Sequence, residues 1–289
     1  MKSHNDLKPI IKWAGGKQAV SNLLISCFPK EFNTYYEPFV GGASVCLNLK
    51  HGSTVINDEN LWLINTYRAV RDNCEKVGQI LGTLGNSKEE FLKIRKVNVE
   101  ELDIFRQAAH FIYLNKTCFR GLFRVNKKGM FNVPYGQYDR RYYNPDNLQA
   151  VSSFLQNIKI KTGDFELGIA GIDKDDFVYF DPPYYKLGGY SDFNRYTKYQ
   201  FNESEHFRLA ALCHELDKKG VNWAVSNSNT PFVRHLFEGY NILEISARRE
   251  INLKSKNRNI KELLITNYQT PASKVLPNIK ESQQKCEEE

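Results

Sequence analysis

The sequence predicts an α/β fold in which a parallel sheet is interrupted by an inserted helical segment, and three observations carry that prediction. The apolar run Phe177-Val178-Tyr179-Phe180, which follows the polar turn Asp173-Lys174-Asp175-Asp176, has the length and continuity of a strand buried on both faces. Tyr35 to Ser44 passes through Gly41-Gly42 into the apolar positions Val45, Leu47 and Leu49. It reads as strand, glycine turn and helix, the first crossover of a nucleotide-binding sheet. From Leu61 to about Gln107, by contrast, apolar residues recur at helical spacing (Leu63, Ile64, Tyr67, Val70; Phe91, Ile94; Phe105, Ala108, Ala109, Ile112). Strand character returns near Ile158-Lys159-Ile160, so an insertion of roughly 90 residues, within ordinary domain size, accounts for the gap. The expected boundaries are 1–60 and 151–270 for the two parts of the sheet domain and 61–150 for the insertion. Residues 271–289, polar and ending in Glu287-Glu288-Glu289, are expected to form a disordered tail.

Composition narrows the class. A chain of 289 residues can bury a large core, and 41% hydrophobic with 25% charged residues is ordinary for a globular protein. No apolar run reaches the length of a membrane span and Met1-Lys2-Ser3-His4-Asn5-Asp6 is not signal-like, which leads to the expectation of a cytoplasmic protein with no membrane partner. Six cysteines occur without a C-x-x-C pair, which argues against a zinc site and a disulfide framework; they are expected to be reduced, several of them in the core. His206 and His214 have no acid or histidine at ligand spacing and read as surface or packing residues, so no metal is expected.

Asp181-Pro182-Pro183-Tyr184 follows the buried strand and therefore sits at its carboxyl end, the edge where open α/β sheets bind ligands. Two prolines fix φ, remove two N–H donors and hold Asp181 extended. A carboxylate, a carbonyl with no competing helix and an aromatic face are then displayed together. Such a trio can hold a flat, amine-bearing ring by hydrogen bonds and stacking, although a plain proline turn fits the same four letters.

Other stretches point to a small ligand. Lys12-Trp13-Ala14-Gly15-Gly16-Lys17 precedes a helical pattern (Val20, Leu23, Leu24, Cys27, Phe28), and its glycines let backbone N–H groups approach a ligand beside the Lys17 cation. The P-loop spacing is absent, so a carboxylate-bearing ligand or a capped helix with a core tryptophan are the readings left. Val55-Ile56-Asn57-Asp58 reads as the second strand, and Asp58 stands where an acid accepts hydrogen bonds from a ribose. Gly41-Gly42 is not a G-x-G-x-x-G fingerprint, so a ribose-bearing cofactor without phosphates fits better than a dinucleotide. Lys161-Thr162-Gly163-Asp164-Phe165 reads as the close of another strand, with Asp164 and Phe165 beside an adenine ring. Gly188 to Gln200 reads as a tyrosine-rich loop over the site. Glu203 to Lys218 reads as an amphipathic helix with Phe207, Ala210, Ala211, His214 and Leu216 on its apolar side. Val221–Val225, Ile242–Ile245 and Leu263–Tyr268 follow as strands, with a second cationic loop from Arg248 to Arg258.

Charge locates a partner. Between Lys116 and Arg141 seven basic residues stand against Asp139 alone, which supplies six of the net +7 charges. Phe119, Phe123, Phe131, Tyr135 and Tyr138 interleave with them, and that mixture reads as a nucleic-acid surface. A loop that only solvates itself needs no such aromatics. Within it Arg124 to Pro134 reads as a β-hairpin turning near Lys127-Lys128-Gly129, a shape that can enter the major groove.

Taken in order, Lys12-Trp13-Ala14-Gly15-Gly16-Lys17, Glu37-Pro38-Phe39-Val40-Gly41-Gly42 and Asp181-Pro182-Pro183-Tyr184 closely resemble the Dam-type DNA adenine-N6 methyltransferases. The basic insertion lies between the second and third motifs, as in the family's alpha group. Asn115, Gly121-Leu122, Arg124, Asn126 and Phe131-Asn132-Val133-Pro134-Tyr135-Gly136 resemble its target-recognition hairpin. The resemblance runs from about Pro9 to Tyr268. It implies a Rossmann-like methyltransferase sheet with an inserted target-recognition domain, S-adenosylmethionine as cofactor and double-stranded DNA as substrate, the enzyme acting as a monomer. By the same resemblance Asp181, Pro182 and Tyr184 are catalytic, and Trp13, Lys17, Phe39, Gly41, Asp58, Asp164, Phe165 and Asp181 bind the cofactor. Arg120, Leu122, Arg124, Asn126, Pro134 and Tyr138 would contact DNA. Arg124 matches the position that reads a guanine of GATC, whereas Arg120 and Gln137 depart from the family's frequent asparagine and arginine and leave open a longer site beginning with GAT. A cytosine-N4 methyltransferase would use the same amine-activating logic, but those enzymes more often carry serine where Asp181 stands. A DNA-binding protein that had lost catalysis would be expected to show a damaged tetrapeptide or Asp58, and both are intact.

Overall fold

The computed structural model describes residues 7–185, 201–248, 259–271 and 280–281. The chain forms two compact units from discontinuous segments. Among the described residues the first contains the chain up to Gln18 together with Glu37–Ala170, and the second contains Ala19–Tyr36 and the segments from Gly171 and from Phe201 onward.

In order, the elements are α1 (Ser21–Cys27), β1 (Tyr35–Glu37), α2 (Ser44–Leu49), β2 (Thr54–Ile56), α3 (Leu61–Thr83), α4 (Lys88–Arg95), α5 (Ile104–Thr117) and α6 (Pro145–Leu155). They continue with β3 (Ile158–Ile160), α7 (Phe165–Gly168), β4 (Phe177–Phe180), α8 (Glu203–Lys218), β5 (Asn222–Ser228), α9 (Pro231–Leu236), β6 (Asn241–Arg248), β7 (Asn259–Thr266) and β8 (Lys280–Glu281). Single 3₁₀ turns at Val99–Glu101 and Phe119–Gly121 flank α5.

The first unit joins a parallel pair, β2 and β3 in the register Thr54↔Ile158, to a helical layer. Beyond β2, the Asn57 N–H donates to Glu37 O at 3.0 Å, and Asn57 O accepts the Val40 N–H at 2.9 Å. Helix α5 is buried almost all round from Ala108 to Leu114, as a central helix must be, and α3 packs beside it through Leu63, Ile64, Tyr67 and Val70. Residues 61–117 are thus mostly helical, and they share one compact unit with β2 and β3. Helix α3 breaks its φ/ψ at Asn73 (φ −159°, ψ 82°), whose Oδ1 accepts the Lys76 N–H at 2.9 Å and restarts the helix.

The second unit carries the sheet's wider part. Strand β4 pairs parallel with β1 (Tyr35↔Phe177) and with β5 (Phe177↔Asn222), and all four of its residues are buried, as its unbroken apolar run requires. Phe28, Phe32, Tyr35, Phe177 and Tyr179 form an aromatic cluster beneath it. Buried Asp176 closes its leading end by accepting the Thr34 and Asp173 N–H groups. Within the first unit β2 pairs with β3, and within the second the hydrogen-bonded order is β1-β4-β5-β7-β6-β8.

Several expectations are corrected. The sheet is mixed: β7 inserts between β5 and β6 and runs antiparallel to both. The last long strand covers Asn259–Thr266 and stops before Tyr268, whose hydroxyl donates to Cys27 O. Part of the expected tail, Lys280–Glu281, adds to the sheet edge as β8, since β6 there has open backbone groups. Lys161 to Phe165 closes no strand: β3 ends at Ile160, Asp164 caps α7 and Phe165 opens it. On α8 the buried face is His206, Leu209, Ala210, Cys213 and Leu216, leaving Phe207 56% exposed. The face is one residue off because a histidine, here 1% exposed, starts the stripe. Arg124 to Pro134 doubles back without a strand ladder, through the isolated antiparallel bridge Val125↔Phe131. Residues 186–200 and 249–258, on which the two expected loops fall, lie outside the described residues. Cys27, Cys46, Cys74, Cys118 and Cys213 are free and buried. Among the described residues no cluster of three or more potential ligands could hold a metal, and no helix is long and apolar enough to cross a membrane.

Candidate active site

In the first unit the expected cofactor residues gather around the turns that follow β1, β2 and β3. Asp58 leaves the end of β2 half-buried, accepting the Gly41 N–H on Oδ2 at 3.0 Å and the Asn60 N–H on Oδ1 at 2.9 Å. Burial pushes its carboxyl up to about 6, against the Asn60, Gly41 and Glu59 backbone N–H groups, which pull it down. Gly41 is gripped from the other side as well, its carbonyl accepting the buried Tyr67 hydroxyl at 2.7 Å. Only glycine fits here: φ is +46°, and a Cβ would stand 2.6 Å from Trp13 Cδ1. Phe39 stacks on buried Phe165, centroids 5.4 Å apart and planes 28° from parallel. Asp164 Oδ1 accepts the Glu166 N–H at 3.0 Å, fixing the start of the helix that carries Phe165.

Two residues that sequence reasoning passed over shape this region. The amide of Asn57 bridges Pro38 O and Gly163 O at 3.1 and 2.9 Å, tying the β1 turn to the β3 turn. Lys161 Nζ donates to the carbonyls of Leu167, Gly168 and Ala170 and so holds the C-terminal end of α7. Trp13 packs in the interior manner, stacked on Phe123 at 5.7 Å with its edge toward Phe111. Lys17 is 5% exposed and donates to Gly15 O at 2.8 Å. The residues suit a ribose and an adenine: a carboxylate has acceptor capacity beyond its backbone bonds, and half-buried Phe39 is an aromatic ring of the kind on which an adenine stacks.

In the second unit Asp181 follows the fully buried β4, with Pro182 buried behind it. The Tyr184 hydroxyl donates to Glu262 Oε2 at 2.9 Å, and burial, reinforced by the Asp181 and Glu262 carboxylates, holds that hydroxyl well above its usual range. The Tyr185 N–H donates to Asn227 Oδ1 at 3.1 Å, and its carbonyl accepts the Ser228 hydroxyl at 2.6 Å. The Tyr185 ring stacks on Phe232 at 4.2 Å, and its hydroxyl donates to Glu203 at 2.7 Å. Buried His206 packs edge-on to Tyr185 and Phe201; desolvation lowers its ring to about 4, so it is neutral at pH 7. Glu262, Asn227 and Ser228 are further residues that sequence reasoning missed. Their signal was polar side chains within strands, Glu262 directly before the apolar run Leu263-Leu264-Ile265.

The basic segment belongs to the first unit. Asn115, fully buried, accepts the Lys12 N–H and donates to Lys12 O and Gly121 O, fastening the segment to the first motif. Arg120 takes a left-handed φ of +59°, donates its N–H to the Tyr138 hydroxyl at 2.8 Å and lays its guanidinium over Phe119, 5.0 Å from the centroid. Lys12 and Arg140 both lie over the Tyr138 ring. Nearby Lys116 is lowered to about 8 by burial and by Lys12 and Arg140. Arg124 is exposed and donates Nε and Nη2 to Asn132 O at 3.1 and 2.7 Å. Asn126 is also exposed; its Oδ1 accepts the Lys128 and Met130 N–H groups and shapes the turn. Leu122 is half-buried, and Pro134 is exposed with its carbonyl accepting the Phe119 N–H.

Comparison with known proteins gives the family. The chain is 41% identical to a Type II methyltransferase M.MjaIII of Methanocaldococcus jannaschii, over 91% of this chain and 100% of that protein. It is 37% identical to a Type II methyltransferase M1.LlaDCHI of Lactococcus lactis subsp. cremoris over 92% and 98%, and 30% identical to a DNA adenine methylase of Haemophilus influenzae over 89% and 92%. The family model for D12 class N6 adenine-specific DNA methyltransferase matches residues 13–251. With the motifs in order and the match spanning most of its length, the chain belongs to the D12 class of N6 adenine-specific DNA methyltransferases.

Proposed function

We propose that the protein methylates the N6 amine of an adenine extruded from duplex DNA, within GATC in preference to a longer site beginning with GAT, and that it uses S-adenosylmethionine. The observation that carries this reading is the tetrapeptide at the end of β4, with Asp181 beside buried Pro182 and the Tyr184 hydroxyl tied to Glu262.

The adenine amine is conjugated with its ring, so its lone pair is a weak nucleophile. Asp181 and the Pro182 carbonyl accept its two N–H bonds and draw the nitrogen toward a pyramidal, more nucleophilic state. Acceptors set in advance in this way contribute about 3 kcal/mol each to lowering a barrier. Tyr184 stacks on the base, offsetting part of the few kcal/mol that extrusion costs. When bound, S-adenosylmethionine would supply a methyl group on a sulfonium, open to direct attack by the amine nitrogen without a covalent enzyme intermediate; the S–CH3 bond breaks, the neutral thioether S-adenosylhomocysteine leaves, and the amine gives up one proton. On the first unit Asp58 accepts from the ribose hydroxyls, while Phe39, Asp164 and Phe165 receive the adenine ring. Gly41 shapes the turn beside them, and Trp13 and Lys17 flank the amino-acid end. By the family pattern Asp181 also lies within reach of the cofactor.

Residues 61–150 serve as the target-recognition domain. Arg124, its fork oriented by Asn132, reads a guanine in the major groove, and Leu122 and Pro134 contact the rest of the site. Arg120, Asn126 and Tyr138 contact the DNA alongside them. The enzyme acts as a monomer in the cytoplasm. The test is to incubate mixed-sequence duplex DNA with protein and S-adenosylmethionine, then identify the modified nucleoside and map it by single-molecule sequencing. N6-methyladenine in GATC is expected; N4-methylcytosine, or no methyl group, refutes the reading.

A further inference from the structure

Glu262 sits on β7 beside Leu263, Leu264 and Ile265, which are 1%, 0% and 0% exposed, and is itself only 8% exposed. A carboxylate in such surroundings is a poor choice for stability, since an apolar side chain of similar volume would be tolerated as well or better. What it does is accept the Tyr184 hydroxyl at 2.9 Å. The register puts Glu262 directly opposite Ser228 on β5. Ser228 and its neighbour Asn227 hold the carbonyl and N–H of Tyr185 at 2.6 and 3.1 Å. Adjacent strands therefore grip two consecutive residues at three points, immediately after Asp181-Pro182-Pro183.

We propose that Glu262 is a positioning residue for the target base, holding Tyr184 as a fixed stacking platform while Asn227 and Ser228 lock the backbone behind it. A tyrosine ring pivots about its Cα–Cβ bond, and anchoring the far end of the ring axis stops that swing. The in-plane preference of a phenolic O–H then restrains the ring plane. Anchoring both Tyr184 and Tyr185 also limits drift of the Asp181 side chain and Pro182 carbonyl, whose action depends on being set before the base arrives. This inference rests on the adenine-methylating role given to the same tetrapeptide.

The test is a double-mutant cycle. Glu262→Leu removes the acceptor while keeping bulk, and Tyr184→Phe removes the donor while keeping the ring. Single-turnover methyl transfer is measured at saturating DNA and S-adenosylmethionine, and 2-aminopurine at the target position reports stacking by its quenched fluorescence. Glu262→Leu is expected to slow transfer about tenfold, the loss of one hydrogen bond to a charged group, and to raise the fluorescence with little change in DNA affinity. Glu262→Gln, which keeps an acceptor oxygen, should recover most of the rate. In the Tyr184→Phe background Glu262→Leu should have no further effect. Additive losses, or an unchanged rate and fluorescence, overturn the proposal. Should Glu262→Leu not fold, the cycle is run with Glu262→Gln, with a loss of about threefold and the same non-additivity expected. Nucleosides from the wild-type reaction are analysed in parallel. Absence of N6-methyladenine removes the underlying function, whereas N6-methyladenine with additive variants removes only the role of Glu262.

Discussion

Protonating Asp58 should weaken cofactor binding by an amount that its surroundings set. Burial pushes its carboxyl up to about 6, outweighing the backbone N–H groups of Asn60, Gly41 and Glu59. At pH 5 roughly one such carboxyl in ten is ionised, against nearly all at pH 7.5. If only the charged form accepts both ribose hydroxyls, affinity for S-adenosylmethionine falls about tenfold between those pH values, about 1.4 kcal/mol. Calorimetric titrations in two buffers of different ionisation heat measure this directly. Proton release on binding should rise from almost none at pH 7.5 to roughly 0.9 per site at pH 5. Asp58→Asn should bind more weakly at pH 7.5 and show a flat profile across the same window. An affinity that is constant from pH 7.5 to pH 5, or a variant whose profile matches the wild type, would refute the ribose role. The same group leaves a mark on folding. Its folded value lies above the unfolded one, so the native state holds the proton more tightly. The stability this provides is complete below about pH 4 and is lost as pH climbs through 6. The total is at most about 3 kcal/mol, less whatever water reaches a half-buried carboxylate. Urea unfolding of wild type and Asp58→Asn from pH 4 to 7 reads it as a difference that shrinks or reverses with rising pH.

Further outcomes follow from other contacts. Asp181→Ala should abolish methyl transfer while leaving DNA binding largely intact; appreciable residual activity sinks the proposed activation of the amine. Arg124→Ala should relax discrimination at one guanine by about 1–3 kcal/mol, measured by methylation rates on single-substitution DNA sites, and an unchanged preference counts against the recognition role of the turn. Gly41→Ala should lower the unfolding free energy by about 2 kcal/mol or more, from a left-handed φ and from the Cβ driven toward Trp13; a thermal midpoint equal to wild type contradicts that geometry.

Much of the fold was legible in linear pattern because short-range physics imposes it. An apolar run of four with polar flanks has few homes other than a buried strand, and β4 is one, with the tetrapeptide at its carboxyl end. The helical spacing from Leu63 to Ile94 marks the faces on which α3 and α4 are buried, whereas α5 is buried almost all round. The three ordered motifs pointed to adenine methylation before any coordinate, and the family match agrees. Strand direction was not legible: nothing in Leu263-Leu264-Ile265 says whether its neighbours run with or against it, and β7 runs against both. Nor was the meaning of lone polar letters in apolar strands. Glu262 and Tyr184 are 78 positions apart, and only the pairing of β7 with β5 brings the carboxylate to the hydroxyl. Local sequence marked the buried strand β4 and the long helices, since steric and burial preferences act within a few residues. Tertiary structure alone decided which distant side chains meet, because a hydrogen bond depends on distance in space and carries no trace of separation along the chain.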